Sequence, residues 1–165
     1  MAVLAKEDME AARNIMRRLM WSLNDESGSI GWGVPEAMAE IMANHEGLAE
    51  EYAHMLVAYM REDGLYIELP PLQRGLLWGV GRLAEVRPDL LKKWEAPAYL
   101  FPYLDSEDPE VRGLAARALG ILRDEGAKEK LAVLKNDSSR VLLYDKGRLE
   151  SRTVGELAGE ALSFR

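Results

Sequence analysis

The sequence predicts an all-α protein: an α-solenoid of helix pairs (an α-α superhelix) closed by a small C-terminal β-hairpin. Three observations carry that expectation. Pro35, Pro71 and Pro109 each precede an apolar helix, and they lie 36 and 38 residues apart. The triplet Arg74-Gly75-Leu76 after Pro71 recurs at the same offset after Pro109 as Arg112-Gly113-Leu114. Finally, Val111-x-x-Leu114-Ala115-x-x-Ala118-Leu119 returns as Val154-x-x-Leu157-Ala158-x-x-Ala161-Leu162, five identities at helical spacing. A weaker echo relates Arg17-x-Leu19-Met20-Trp21 to Arg74-x-Leu76-Leu77-Trp78. Helix-pair repeats of roughly 20 to 50 residues cannot bury their apolar faces alone and stack on one another.

The elements follow in order. From about Glu7 to Leu23, Met9, Ala12, Ile15 or Met16, Leu19 and Leu23 recur at spacings of three and four, the stripe of an amphipathic helix. Asn24-Asp25-Glu26-Ser27-Gly28 is turn chemistry, and a glycine-rich connector runs through Gly33. Pro35 opens a second helix to about Asn44, since proline's missing N–H costs nothing in the first turn. A third spans about Leu48 to Arg61 and is broken at Glu62-Asp63-Gly64, with Leu65 to Pro71 extended. Leu72 to Val86 is a fourth, ended by Pro88, and a short turn of helix covers Asp89 to Trp94. Ala96 to Leu104 is a short helix interrupted by prolines; Asp108-Pro109 starts the next, to about Arg123, and Ala127 to Leu134 completes its pair. Arg140 to Tyr144 and Arg148 to Arg152 abandon the helical period and flank Asp145-Lys146-Gly147, a hairpin pattern. An isolated hairpin is marginal in water, so this one packs on the helices or pairs with another chain. Thr153 with Glu156 has the capping-box spacing for a last helix to about Ser163.

Composition narrows the function classes. The 165 residues, 48% apolar and 30% charged, suit a single domain and exclude a disordered chain. Without cysteine there is no disulfide, iron–sulfur cluster, thiolate zinc site or cysteine nucleophile. A formal charge of −7 argues against nucleic acid and anionic membrane as partners. No apolar run nears the roughly 18 residues of a spanning helix, and the start lacks a signal peptide's pattern, so a cytoplasmic location is expected. The charge is uneven: residues 1–104 carry −6, and Asp25 to Met60 hold seven acids and no base.

Residues 104–122 read L-D-S-E-D-P-E-V-R-G-L-A-A-R-A-L-G-I-L. This resembles the short HEAT-like repeat named after phycobilisome lyases, D-P-x-V-R-x-x-A-A-x-A-L-G-x-L. Asp108, Pro109, Val111, Arg112, Ala115, Ala116, Ala118, Leu119, Gly120 and Leu122 all sit in place. The good match covers about residues 100–165, with a hairpin where the family has a short turn. Residues 7–104 match as degenerate pairs, 105–135 as a clear repeat, and 140–164 as hairpin plus terminal helix. In such armadillo-like helical repeats an Asp–Arg pair joins neighbouring turns. The resemblance implies that role for Asp108 and Arg112, extending to Arg74 and Asp137. It supplies no catalytic residues and implies a scaffold.

Several motifs invite sharper chemistry. Gly28, Gly31 and Gly33 precede a helix as G-x-x-G-x-G, the reverse order of the dinucleotide fingerprint, with no strand before and no lysine after. They read as a tight connector that folds Trp32 back onto the helices. His45, Glu46, Glu50, Glu51 and His54 cluster near a helix start, and Glu50 and His54 share a face. His45, Glu50 and His54 are therefore weak metal candidates, against the default of a solvated surface, and no cofactor is expected. Trp21 and Trp78, equivalent in the repeat echo, read as core, as do Met16, Met20, Met38, Met42, Met55 and Met60. Trp32 and Trp94, with Glu36 and Glu40, are the candidate partner-binding residues. The expected function is a non-enzymatic protein–protein scaffold or adaptor whose partner is another, basic or neutral, protein. The alternatives are a small-molecule or metal-binding, lyase-like protein with its site near residues 32–54, and homodimerisation through the hairpin edge.

Overall fold

A computed structural model describes residues 2–24 and 31–164. Gly28 and the rest of the turn through residue 30 lie outside the described residues. The chain begins with α1 (Ala2–Glu7) and α2 (Met9–Leu23), followed by α3 (Val34–Asn44) and α4 (Glu46–Met60). Next come α5 (Pro70–Val86), α6 (Pro88–Lys93) and α7 (Ala96–Leu100), which tightens into a 3₁₀ turn at Phe101–Asp105. Then α8 (Pro109–Ile121) is joined by a 3₁₀ turn to α9 (Lys128–Leu134), and β1 (Arg140–Asp145) and β2 (Arg148–Thr153) lead into α10 (Val154–Ser163). This is the α-solenoid with a small hairpin that the sequence predicts.

Local chemistry sets the boundaries. Asp8 accepts a hydrogen bond from the Ala11 N–H at 2.9 Å and so splits the first helical stretch into α1 and α2. The His45 Nδ1 accepts from the Leu48 N–H at 3.2 Å, which starts α4 two residues earlier than its apolar stripe suggests. Prolines occupy the first turns of α3, α5, α6, α7 and α8. The Thr153–Glu156 capping box is formed at the start of α10.

The helices form two layers. α3, α5, α8 and α10 lie side by side in that order, and α4, α6, α7 and α9 back them. Between the layers one continuous apolar core runs from Ala5 to Ala161. The front layer is tight because small residues meet. A Cβ on Gly79 of α5 would lie 2.9 Å from the Ala39 Cβ and 3.0 Å from the Pro35 carbonyl. One on Gly120 of α8 would lie 2.4 Å from Ala161 of α10. Met16, Met38, Met42 and Met60 are buried in this core, with Met20 and Met55 packed against its edge. Trp21 is not core: its side chain is 75% exposed. The equivalent Trp78 sits in a helix flanked by α3 and α8, whereas α2 has a layer neighbour on one side only.

Two ion pairs tie successive units. Arg74 reaches Asp108 at 2.6 Å, and Arg112 reaches Asp137 at 2.8 Å. Each pair runs from the first turns of one front-layer helix to the start or approach of the next.

The hairpin closes on a two-residue loop, Lys146-Gly147, with φ of +45° and +80° and Asp145 opposite Arg148. Its alternation is clean. Val141 and Leu143 are buried, with β1 packed on α8, while Leu142 and Tyr144 face outward beside Leu149. No helix among the described residues is long and apolar enough to cross a membrane.

Candidate functional site

The front layer and the outward face of the hairpin enclose a groove. Helical spacing aligns its walls: Glu36 and Glu40 on α3, Arg74, Trp78 and Arg82 on α5, and Glu110, Leu114 and Arg117 on α8 stand three or four residues apart. The Trp78 indole N–H donates to the Tyr144 carbonyl at 2.7 Å, and the two rings lie 6.2 Å apart at 48°. This contact anchors the hairpin tip to α5 across 66 residues of sequence. Leu142, Tyr144 and Leu149 then present an apolar strip that is 54%, 52% and 67% exposed.

Two connected cavities make up the groove. One, of about 390 Å³, is lined by Glu36, Arg74, Trp78, Leu114, Leu142 and Leu149. The other, of about 570 Å³, lies between Glu40, Arg82, Glu85, Arg117, Tyr144 and Lys146. Most of their charges are paired. The Arg82 Nε meets Glu40 at 2.8 Å and holds its carboxyl below the usual carboxylate range. Arg117 meets Glu85 and, at 3.5 Å, Asp145; Arg74 meets Glu110 at 3.5 Å. Lys146 forms no ion pair among the described residues, and Glu36 is the other exception. Its carboxyl lies flat against α5, where only the missing side chain of Gly75 leaves room, and its Oε2 is buried without a hydrogen-bond partner.

The partner-binding candidates divide. Glu36 and Glu40 line the groove; Trp32 and Trp94 do not. Trp32 is exposed on the connector before α3, so it does not fold back onto the helices. Trp94 caps α6, its ring 5.4 Å from His54 and the Lys93 ammonium 5.7 Å from its centre.

The residues of the proposed metal cluster are not brought together. His45 is spent on its cap, Glu50 faces Lys93 at 3.9 Å, and His54 packs against Trp94 with the rings tilted at 45°. Among the described residues no group of three or more His, Cys, Asp or Glu is placed to hold a metal ion. Gly33 has φ +74° and opens α3, while Gly31 is buried against Leu23 and Val34. These glycines make a tight turn.

The acidic stretch also differs from its appearance in sequence. Arg13 of α2 bonds Glu51 at 2.6 Å and holds it below the usual carboxylate range, while Arg82 and Lys93 reach Glu40 and Glu50. Bases distant in sequence thus answer three of its acids among the described residues. Sequence reasoning missed Tyr144, Leu142 and Leu149 as site residues; Trp78, read as core, is partly buried against the core and also lines the groove. The available signal was the spacing of Arg74, Trp78 and Arg82, which puts two cations and an aromatic ring on one face of α5.

Comparison with known proteins gives the following. Residues 70–122, which hold α5 to α8, match the family model described as HEAT-like repeat. An uncharacterised protein of Archaeoglobus fulgidus is 35% identical over 80 residues, 48% of this chain and 40% of that protein. The chain thus spans well under half of that relative's length. No solved structure matches.

Proposed function

We propose that this HEAT-like repeat protein is a non-enzymatic scaffold that holds a segment of a partner protein in the groove between its hairpin and its front helix layer. HEAT-like repeats are commonly protein-interaction scaffolds, and stacked helix layers offer extended surfaces for that purpose. The observation that carries the reading is the apolar strip Leu142–Tyr144–Leu149, fixed against Trp78 and left uncovered. Aromatic anchors beside charged walls are the usual makings of a binding hot spot. Glu36 lines the same cavity with no ion pair among the described residues, so the partner segment carries a cationic side chain next to an apolar one. A photo-crosslinking residue in place of Leu142 tests this. It captures a protein partner, and Tyr144→Lys lowers the yield at least fivefold. Equal capture from position 133, exposed on α9 away from the groove, or no effect of Tyr144→Lys would overturn the reading.

The free edge of β2 favours a second copy of this chain as a further partner. The antiparallel alternation turns the backbone groups of Leu149 and Ser151 away from β1. Neither group bonds another element among the described residues. Two β2 strands paired about Leu149 set Arg148 opposite Glu150 twice over.

A further inference from the structure

A cavity of about 680 Å³ lies on the opposite side of the hairpin tip from the Leu142–Tyr144 strip, between α6, α8, α10 and the strands. Its floor is apolar, made by Ile121, Leu143, Leu157 and Phe164. Its rim is cationic: Lys92, Arg117, Arg123, Lys146 and Arg152, against the three acids Glu85, Asp145 and Glu160. Arg117 is neutralised by Glu85 and Asp145, and Arg152 by Glu156 and Glu160. Lys92, Arg123 and Lys146 form no ion pair among the described residues. In a chain of net charge −7, three unanswered cations around one apolar hollow are a local reversal of sign.

The backbone adds a second, independent observation. Three non-glycine residues among those described have positive φ: Glu95, Arg123 at +56° and Lys146 at +45°. Two of the three are rim cations of this one cavity. Arg123 follows the end of α8, where the left-handed residue is usually glycine. Lys146 is the first loop residue of a hairpin turn that favours Asn or Asp there. At both places the sequence keeps a cation where a smaller residue fits the backbone better.

We infer that this cavity binds an amphipathic phosphate monoester, with its headgroup between Arg123, Lys146 and Lys92 and its apolar chain on Ile121, Leu143 and Leu157. A phosphate monoester's charge of about −1.5 to −2 suits three unpaired cations better than a single negative charge does. The occupant is a small molecule, a class distinct from the protein segment assigned to the groove; Lys146 lines both cavities, whereas Arg123 and Lys92 line this one and not the groove, so the Lys92 variant separates the two readings.

Calorimetric titration of the full chain with hexyl phosphate provides the test. Saturable binding is expected, at least tenfold tighter than that of inorganic phosphate, which lacks the chain. The double variant Arg123→Gly, Lys146→Asn relieves both left-handed positions. It is expected to melt higher by a few degrees while binding at least tenfold more weakly, a combination that loss of a structural contact does not give. Lys92→Gln, on exposed helix surface, serves as an independent variant and weakens binding about threefold. No saturable binding by the wild type, or unchanged affinity in the variants, overturns the assignment. So does equal affinity for inorganic phosphate, or binding confined to vesicles carrying phosphatidic acid.

Discussion

Asp108 combines two interactions in one carboxylate. It accepts from the Glu110 and Val111 N–H groups at 3.0 and 3.1 Å, capping α8, and it receives the Arg74 guanidinium through Nε and Nη2. Burial alone pushes this carboxyl up. The Arg74 guanidinium and the two capped N–H groups more than offset that and hold it below the usual carboxylate range. Asp137 follows the same pattern, with burial raising it and Ser139 and then Arg112 lowering it further. Because the folded-state value lies below the unfolded one of about 3.9, the stabilisation is complete above that pH. It is lost as pH falls through the folded value. Asp108→Ala is expected to cost about 2 kcal/mol in urea denaturation, and Asp108→Asn, which retains an N-cap side chain, about 1 kcal/mol. The slope of stability against pH below about pH 4 should flatten in the Asn variant. An unchanged slope would remove Asp108 as a contributor. The resemblance pointed to Asp108 and Arg112 and extended to Arg74 and Asp137; which of the four pair, 34 and 25 residues apart, needed the fold.

At the scale of elements, the front layer depends on which glycines face a neighbour. Gly120 has Ala161 where its own Cβ would be, while Gly159 of α10 has open space. Gly120→Ala is therefore expected to destabilise by about 1–3 kcal/mol despite alanine's better helix propensity, because α8 and α10 must separate. Gly159→Ala should stabilise by about 0.5–1 kcal/mol for the propensity reason alone. Thermal melts of the pair give opposite signs; equal signs would mean that close approach does not govern this layer. Such helices were legible in the sequence because a 3.6-residue stripe reports a buried face locally. The hairpin was legible for the same reason at period two. What could not be read was the docking of its tip on α5, since the Trp78–Tyr144 contact depends on where two distant elements come to lie. Trp21 shows the converse limit. A matching motif in α2, which among the described residues packs on α1 and α3 rather than between two front-layer helices, left the same residue type in solvent.

For the molecule as a whole, charge is distributed by folding rather than by sequence position. Among the described acids of residues 25–60, Glu40, Glu50 and Glu51 are met by cations from α5, α6 and α2. Among the described residues Glu36 and Lys146 are left unpaired around the groove, and Lys146 also belongs to the unpaired cations of the cavity across the hairpin. The hairpin edge sets the expected assembly. Light scattering should give a dimer mass at high protein concentration and a monomer for Arg148→Glu. The double exchange Arg148→Glu, Glu150→Arg should restore the dimer, because it reverses the cross-strand pairs without changing their complementarity. A monomeric wild type, or failure of the exchange to restore association, would sink the β2 pairing. The ion-pair ladder has a consequence of another kind. Its rungs are directional, each arginine reaching forward to an aspartate, and α10 carries Gly155 at the place that Arg112 holds in α8. A Cβ there would stand 2.5 Å from the Lys135 carbonyl, so the position has no room for a guanidinium. A duplicated unit spliced between α5 and α8 would find an arginine before it and an aspartate after it, whereas one appended beyond α10 would find no arginine at that position. A further unit beyond α10 would therefore have to stack without such a pair, as α3 does on α5.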